Sequence, residues 1–70
     1  MLVDGKYKIY ETKLQNGQLS PDKVIGEFEV RAGHLHAAQI PDLKEYTHIT
    51  LQKIERMYGR SPYYAIIKVR

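Results

Sequence analysis

The sequence predicts a small α+β domain with the element order β-β-α-β. One long segment in the C-terminal half has the apolar spacing of an amphipathic helix, and the segments around it alternate or cluster apolar residues as strands do. All 70 residues are expected to form a single domain, residues 1 to 70. A chain of this length buries only about 60% of its unfolded surface, so its stability margin is narrow.

The segment from residue 42 to residue 59 is the most periodic part of the chain. Asp42 stands where an N-cap residue belongs, and Gly59 suits the position that ends a helix. Ile49 is the one apolar residue on the polar side, so Ile54→Asp is expected to unfold the domain and Ile49→Asp is not. At about 100° per residue the apolar stripe consists of Leu43, Tyr46, Thr47, Thr50, Leu51, Ile54, Met57 and Tyr58.

The most regular strand pattern covers residues 24 to 32, and residues 63 to 70 form the last strand. The glutamates of the 24–32 strand lie on its solvent side, where they can pair with lysines of a neighbouring strand. Phe28 is expected at the centre of the core. The core face of this strand is expected to consist of Val24, Gly26, Phe28, Val30 and Ala32.

The first strand is predicted over residues 6 to 14. Its apolar side chains change face between Ile9 and Tyr10, which indicates either a bulge or a strand that is covered on both sides. Residues 15 to 23 connect it to the second strand. Asn16-Gly17 is a strong turn signal, but a two-residue hairpin there would place Pro21 in the strand ladder, so a longer loop is expected.

These elements predict a three-stranded mixed sheet with one helix packed on one face. The helical connection makes the second and last strands parallel, and the first strand lies between them, antiparallel to both. Residues 34 to 38 form either extended chain or an additional short strand before the helix.

Composition excludes several classes of protein. Without cysteine the chain has neither disulfides nor thiolate metal ligands. No signal-like segment or long apolar run is present, so we expect a cytoplasmic location and no membrane partner. The net charge is +3, and the basic residues are scattered rather than gathered in a stripe, which favours solubility over dedicated nucleic-acid binding.

The candidate metal ligands in the sequence are three histidines, with Glu27 or Glu29 as alternatives for the third ligand. His34 and His36 would point the same way in an extended chain, and His48 could be a third ligand if the fold brings it close. Two surface or loop histidines after a glycine bend are the favoured interpretation, because a single His-x-His pair is a weak signal, so no stoichiometric zinc and no cofactor are expected. The serines and glutamates match no catalytic motif, and a chain this short has little volume for a closed pocket, so catalysis is not expected.

The leading functional prediction is a non-catalytic protein-interaction module that self-associates, most simply as a homodimer. The uncovered sheet face is expected to carry an apolar patch, and such patches mark partner sites. Its predicted residues are Tyr10, Ile25, Tyr64 and Ile66. The alternative is a weak nucleic-acid-binding module that uses Lys8, Tyr10, Tyr64, Lys68 and Arg70. A metal-binding protein is a third and less favoured prediction.

Overall fold

The computed structural model describes residues 2–43 and 49–70, which form a four-stranded sheet with one short helix against one of its faces. A single 3₁₀ turn separates the third strand from the residues before the helix. The helix begins as α1 and continues as a π-helical turn. In chain order the elements are β1 (Gly5–Gln15), β2 (Gln18–Arg31), β3 (His34–Gln39), the 3₁₀ turn (Pro41–Leu43), α1 (Leu51–Ile54), the π turn (Glu55–Gly59) and β4 (Tyr64–Lys68).

The α+β class is confirmed, but the prediction of a three-stranded mixed sheet is wrong. The sheet has four strands in the order β3-β2-β1-β4, and every neighbouring pair is antiparallel. The fourth strand is β3, the short strand that the sequence left open. It forms because Ala32 and Gly33 both take positive φ, 50° and 77°, which closes a two-residue hairpin between Arg31 and His34. The position of β1 between β2 and β4 is as predicted.

The expected long loop between the first two strands is also wrong. Asn16 and Gly17, with φ of 51° and 80°, form a two-residue turn, and Gln15 pairs directly with Gln18. Pro21 is tolerated opposite Thr12 because the Thr12 amide points away from β2: it donates to the Tyr63 carbonyl over 2.9 Å. Thr12 and Pro21 therefore form a non-hydrogen-bonded pair, so the missing amide of the proline costs no hydrogen bond to β1.

The first strand itself keeps a regular alternation against β4, and the bulge lies in its partner β2. The register of β1 against β2 shifts between Ile9 and Tyr10, where Ile25 is the extra residue, and shifts again between Glu11 and Thr12. Because each extra residue inverts the alternation that follows it, Val24 pairs with Tyr10 rather than with a core residue. Val24 is 45% exposed, so its predicted place in the core is wrong. Gly26, Phe28 and Val30 are buried as predicted, whereas Ala32 is exposed in the second hairpin turn.

The predicted helix from residue 42 to residue 59 is too long. Asp42 belongs to the 3₁₀ turn, and the helix starts after Thr50, whose hydroxyl accepts a hydrogen bond from the Lys53 amide at 3.2 Å. Thr47, Ile49 and Thr50 are β-branched, a class that favours extended backbone, and threonine competes as an N-cap. The stripe residues Tyr46 and Thr47 lie outside the described residues.

Ile49 packs against the core, which corrects its predicted place on the polar side. It precedes the helix, so the helical angle that set it apart does not apply. The core around it joins both long strands to the helix, and the rings of Tyr7 and Phe28 stack at its centre, 5.2 Å apart. The buried residues are Tyr7, Ile9, Phe28, Val30, Ile40, Leu43, Ile54 and Tyr58.

Candidate interaction surface on the open face and outer edge of the sheet

The face of the sheet opposite the helix is divided into two chemically different parts. Pairing register and alternation place Lys6, Lys8, Glu27, Glu29 and His36 at the end near the β2–β3 turn, and we call them the charged cluster. The same register places a group of apolar side chains, the apolar band, along β4 and at the middle of the β1–β2 hairpin. The apolar band consists of Tyr10, Val24, Ala65, Ile67 and Val69.

The apolar band crosses three strands and follows β4 to its end. Tyr10 pairs with Val24 on one side and with Ala65 on the other, so the three side chains form a row. Ile67 pairs with Lys8 one step further along β4. Ile67 is 37% exposed and Val69 is 47% exposed. The band therefore presents aliphatic and aromatic surface up to the outer edge of the sheet.

The outer edge of β4 carries backbone groups that no described residue pairs with as a strand. Thr12 donates to the Tyr63 carbonyl, and the Val69 amide donates to the Lys6 carbonyl at 2.8 Å. Since the direction of hydrogen bonding alternates along a strand, residues 63, 65, 67 and 69 face β1. Tyr64, Ile66 and Lys68 consequently direct their backbone groups outward.

The charged cluster satisfies its own charges. Lys6 lies opposite Glu29 and Lys8 lies opposite Glu27, so each carboxylate faces a lysine on β1, and His36 lies opposite Glu29 on the other side. Glu29 also forms an ion pair with Arg31 at 3.0 Å. That hydrogen bond lowers the pKa of Glu29 from its ordinary value, and the charges of Arg31, Lys6 and His36 act in the same direction. This part of the face is therefore hydrated and internally compensated.

The structure brings only one of the four predicted interaction residues to the open face. Tyr10 lies in the apolar band, whereas Tyr64 and Ile66 lie on the helix side of β4 and pack against the core. The Tyr64 ring makes an edge contact with the ring of Tyr58, with centroids 4.9 Å apart. Ile25 is the extra residue of the bulge and also packs against the core.

Val24, Ile67 and Val69 were missed because their faces depend on pairing register. The signal that could have found Val24 was the face change between Ile9 and Tyr10, since the partner strand must contain the matching irregularity. For Ile67 and Val69 the deciding fact is that Ile66, not Ile67, pairs with the core residue Ile9. A strand with apolar residues on both faces does not reveal this by itself.

The five residues predicted for the nucleic-acid alternative do not share one face of the sheet. Lys8 and Tyr10 share the open face, but Tyr64 and Lys68 lie on the other face of β4, where Lys68 is opposite the buried Tyr7. The backbone of Arg70, the remaining predicted residue, is hydrogen-bonded to Lys6 at the end of the sheet. The five predicted residues therefore do not form one stacking platform.

His34 and His36 are exposed on β3, and His48 lies outside the described residues. Within residues 2–43 and 49–70, no three His, Asp or Glu side chains lie close enough together to hold a metal ion. The absence of stoichiometric zinc stays a prediction for metal analysis. In the same part of the chain, neither the length nor the hydropathy of any helix is sufficient to cross a membrane.

Comparison with protein-family models, with curated proteins and with solved structures finds no match to this chain. Evidence for a function must therefore come from the surface of the molecule itself, above all from the apolar band and the outer edge of β4.

Proposed function

We propose that this chain is a non-catalytic protein-interaction module that self-associates through the apolar band and the neighbouring edge of β4. The observation that carries the proposal is that the apolar band reaches the outer edge of β4. Exposed Ile67 lies in β4 and exposed Val69 directly follows it, and the outer edge of β4 carries backbone groups that no described residue pairs with as a strand. Apolar surface beside an open strand edge is the combination by which strands recruit further strands.

A second copy of the chain is the occupant that the surface fits best. A two-fold contact uses the same patch twice, so a band that reaches the sheet edge is brought against an identical band. In the charged cluster Lys6 lies opposite Glu29 and Lys8 lies opposite Glu27, so it offers little uncompensated charge to attract a highly charged partner. Of the five residues predicted for the alternative partner, single-stranded nucleic acid, only Lys8 and Tyr10 lie on the open face, so such binding would be weak and strongly salt-dependent.

The expected self-association is weak. Complete burial of an exposed aliphatic side chain contributes about 1.5–3 kcal/mol. Ile67 is 37% exposed and Val69 is 47% exposed, so covering what remains of each would contribute roughly 1 kcal/mol. A symmetric contact buries each of these side chains in both copies and adds backbone hydrogen bonds. Association also costs translational and rotational entropy, because two free molecules become one. We therefore expect a dissociation constant in roughly the micromolar range.

The test compares two lysine substitutions on the same sheet face by size-exclusion chromatography with light scattering. Ile67→Lys places a charge in the apolar band, whereas the control Leu19→Lys places one near the hairpin tip, where Leu19 is 49% exposed and pairs with Leu14. At about 100 μM the wild type and Leu19→Lys are expected to be dimers, and Ile67→Lys a monomer that keeps the circular dichroism of the folded wild type. A dimeric Ile67→Lys would remove the apolar band from the contact, and a monomeric wild type would contradict self-association.

A further inference from the structure

We infer that two copies associate by antiparallel pairing of β4 with β4, centred on Ile66, so that the two sheets become one eight-stranded sheet. This inference rests on the proposed self-association and specifies its geometry. The other open edge is less suited, because β3 contains Ala37 with a φ of 47° and a register shift against β2. Such a bulge twists an edge away from further pairing.

β4 is a regular strand whose outer backbone groups are available for this pairing. Over its five described residues it has no proline and no register shift against β1. The hydrogen bonds to β1 leave the amide and carbonyl groups of Ile66 and Lys68 pointing outward, together with the carbonyl of Tyr64. The Tyr64 amide makes only a long bond of 3.4 Å to the Ser61 carbonyl. A groove of about 800 Å³ beside Tyr64, Ala65 and Ile66 leaves space next to the strand on the helix side.

The register follows from the length of the strand and the positions of these groups. Two antiparallel copies can bond only where outward-facing residues meet each other. Centring the two-fold axis on Ile66 uses all five residues of β4, with Ile66 opposite its own copy and Tyr64 opposite Lys68 of the second copy. Ala65 then lies opposite Ile67 of the second copy on the open face, and the two apolar bands join.

The side chains favour the antiparallel arrangement over a parallel one. The antiparallel register places the Lys68 ammonium beside the Tyr64 ring of the second copy, where a cation is attracted to an aromatic face. It also separates the two Lys68 side chains to opposite ends of the contact. Parallel pairing in register would place Lys68 beside Lys68, which is unfavourable.

Cysteine cross-linking tests the register, because the natural chain has no cysteine. The Ala65–Ile67 pair would be non-hydrogen-bonded, with Cα atoms about 4.5 Å apart, within the range of a disulfide. Residue 65 would lie roughly 8 Å from residue 65 of the second copy, which is too far. A mixture of Ala65→Cys and Ile67→Cys chains is expected to form disulfide dimers on mild oxidation, and neither variant alone is. Equal cross-linking of one variant alone, or none in the mixture, would overturn this register.

A proline substitution tests the edge itself. Lys68→Pro removes an outward-facing amide without removing a bond to β1, and Lys68→Ala keeps that amide while removing the same side chain. Lys68→Pro is expected to weaken dimerisation at least about tenfold relative to Lys68→Ala, with unchanged circular dichroism. If the wild type is a dimer and both variants dimerise equally, self-association stands and the β4 contact is wrong. If the wild type is a monomer, the proposed function fails together with this inference.

Discussion

At the scale of single residues, Gly26 shows how a missing side chain positions the segment before the helix. A Cβ atom built on Gly26 would lie 3.1 Å from Ile40 Cγ1 and 3.2 Å from the Gln39 carbonyl oxygen. The end of β3 therefore approaches β2 so closely at Gly26 that an added Cβ would require the neighbouring atoms to shift by a few tenths of an ångström. Ile40, which is 5% exposed, is buried by this approach.

Gly26→Ala is accordingly expected to lower the free energy of unfolding by about 1–3 kcal/mol, because backbone atoms of residues 39 and 40 must move. Gly59→Ala is the matched control, since its added Cβ would meet Ile66 Cδ1 at an ordinary 3.7 Å. Urea unfolding followed by circular dichroism measures both. Equal stability of the two variants would show that residues 39 and 40 move away from an added methyl group at position 26 without loss of stability.

Asp4 joins the N-terminal segment to the turn between β2 and β3. Its carboxylate accepts hydrogen bonds from the amides of Ala32 at 2.9 Å and Gly33 at 3.2 Å. The bond from Ala32, then that from Gly33, lowers the pKa of Asp4 from its ordinary value. Because the folded-state pKa lies below the unfolded one, the stabilisation is complete above the unfolded value and is lost as pH falls through the folded value.

Asp4→Asn should therefore be less stable than the wild type at about pH 7, and the difference should shrink toward about pH 2. The amide oxygen of asparagine accepts hydrogen bonds but carries no charge and does not titrate in this range. Urea midpoints at both pH values measure the change, with the exposed Asp22→Asn as a control that leaves the turn intact. A stability difference that does not vary with pH would rule out the charge of Asp4 as the cause.

At the scale of elements, the helix shows what apolar periodicity can and cannot predict. Its described part matches the predicted stripe only in part: Ile54 and Tyr58 are buried and Leu51 is partly buried against the core, but Met57 is 38% exposed. Its start was predicted too early because Asp42 and Thr50 are both good caps, and propensity alone does not choose between them. The hairpin was misjudged for a similar reason: the consequence of Pro21 depends on which way the Thr12 amide points.

Ile54→Asp is expected to unfold the domain, because an unpaired carboxylate at a fully buried site costs several kcal/mol and the whole domain has roughly 3–10 kcal/mol. Ile49→Asp, first expected to be harmless, should also destabilise but by less, since Ile49 is only partly buried. Gln52→Asp introduces the same charge at an exposed helical position and is the control. Thermal melts of the three variants give the order, and an Ile49→Asp variant as stable as Gln52→Asp would contradict the packing of Ile49.

At the scale of the whole molecule, the central place of β1 was predictable, but the full strand order and the strand faces were not. The helical connection and the two-faced first strand were enough to place β1 between β2 and β4. The faces of Val24, Ile66 and Ile67 depend on a bulge and on one step of register, and each such step exchanges buried and exposed side chains. Of the four predicted interaction residues, only Tyr10 therefore lies on the open face.

Self-association is the central claim, and the most direct measurement is the mass of the wild-type chain by sedimentation equilibrium over a concentration series. We predict a mass that rises from the monomer value of 8.2 kDa toward twice that value as the concentration passes through the micromolar range to about 100 μM. The rise should fit a single monomer–dimer equilibrium. A mass that remains at 8.2 kDa throughout the series would contradict the claim.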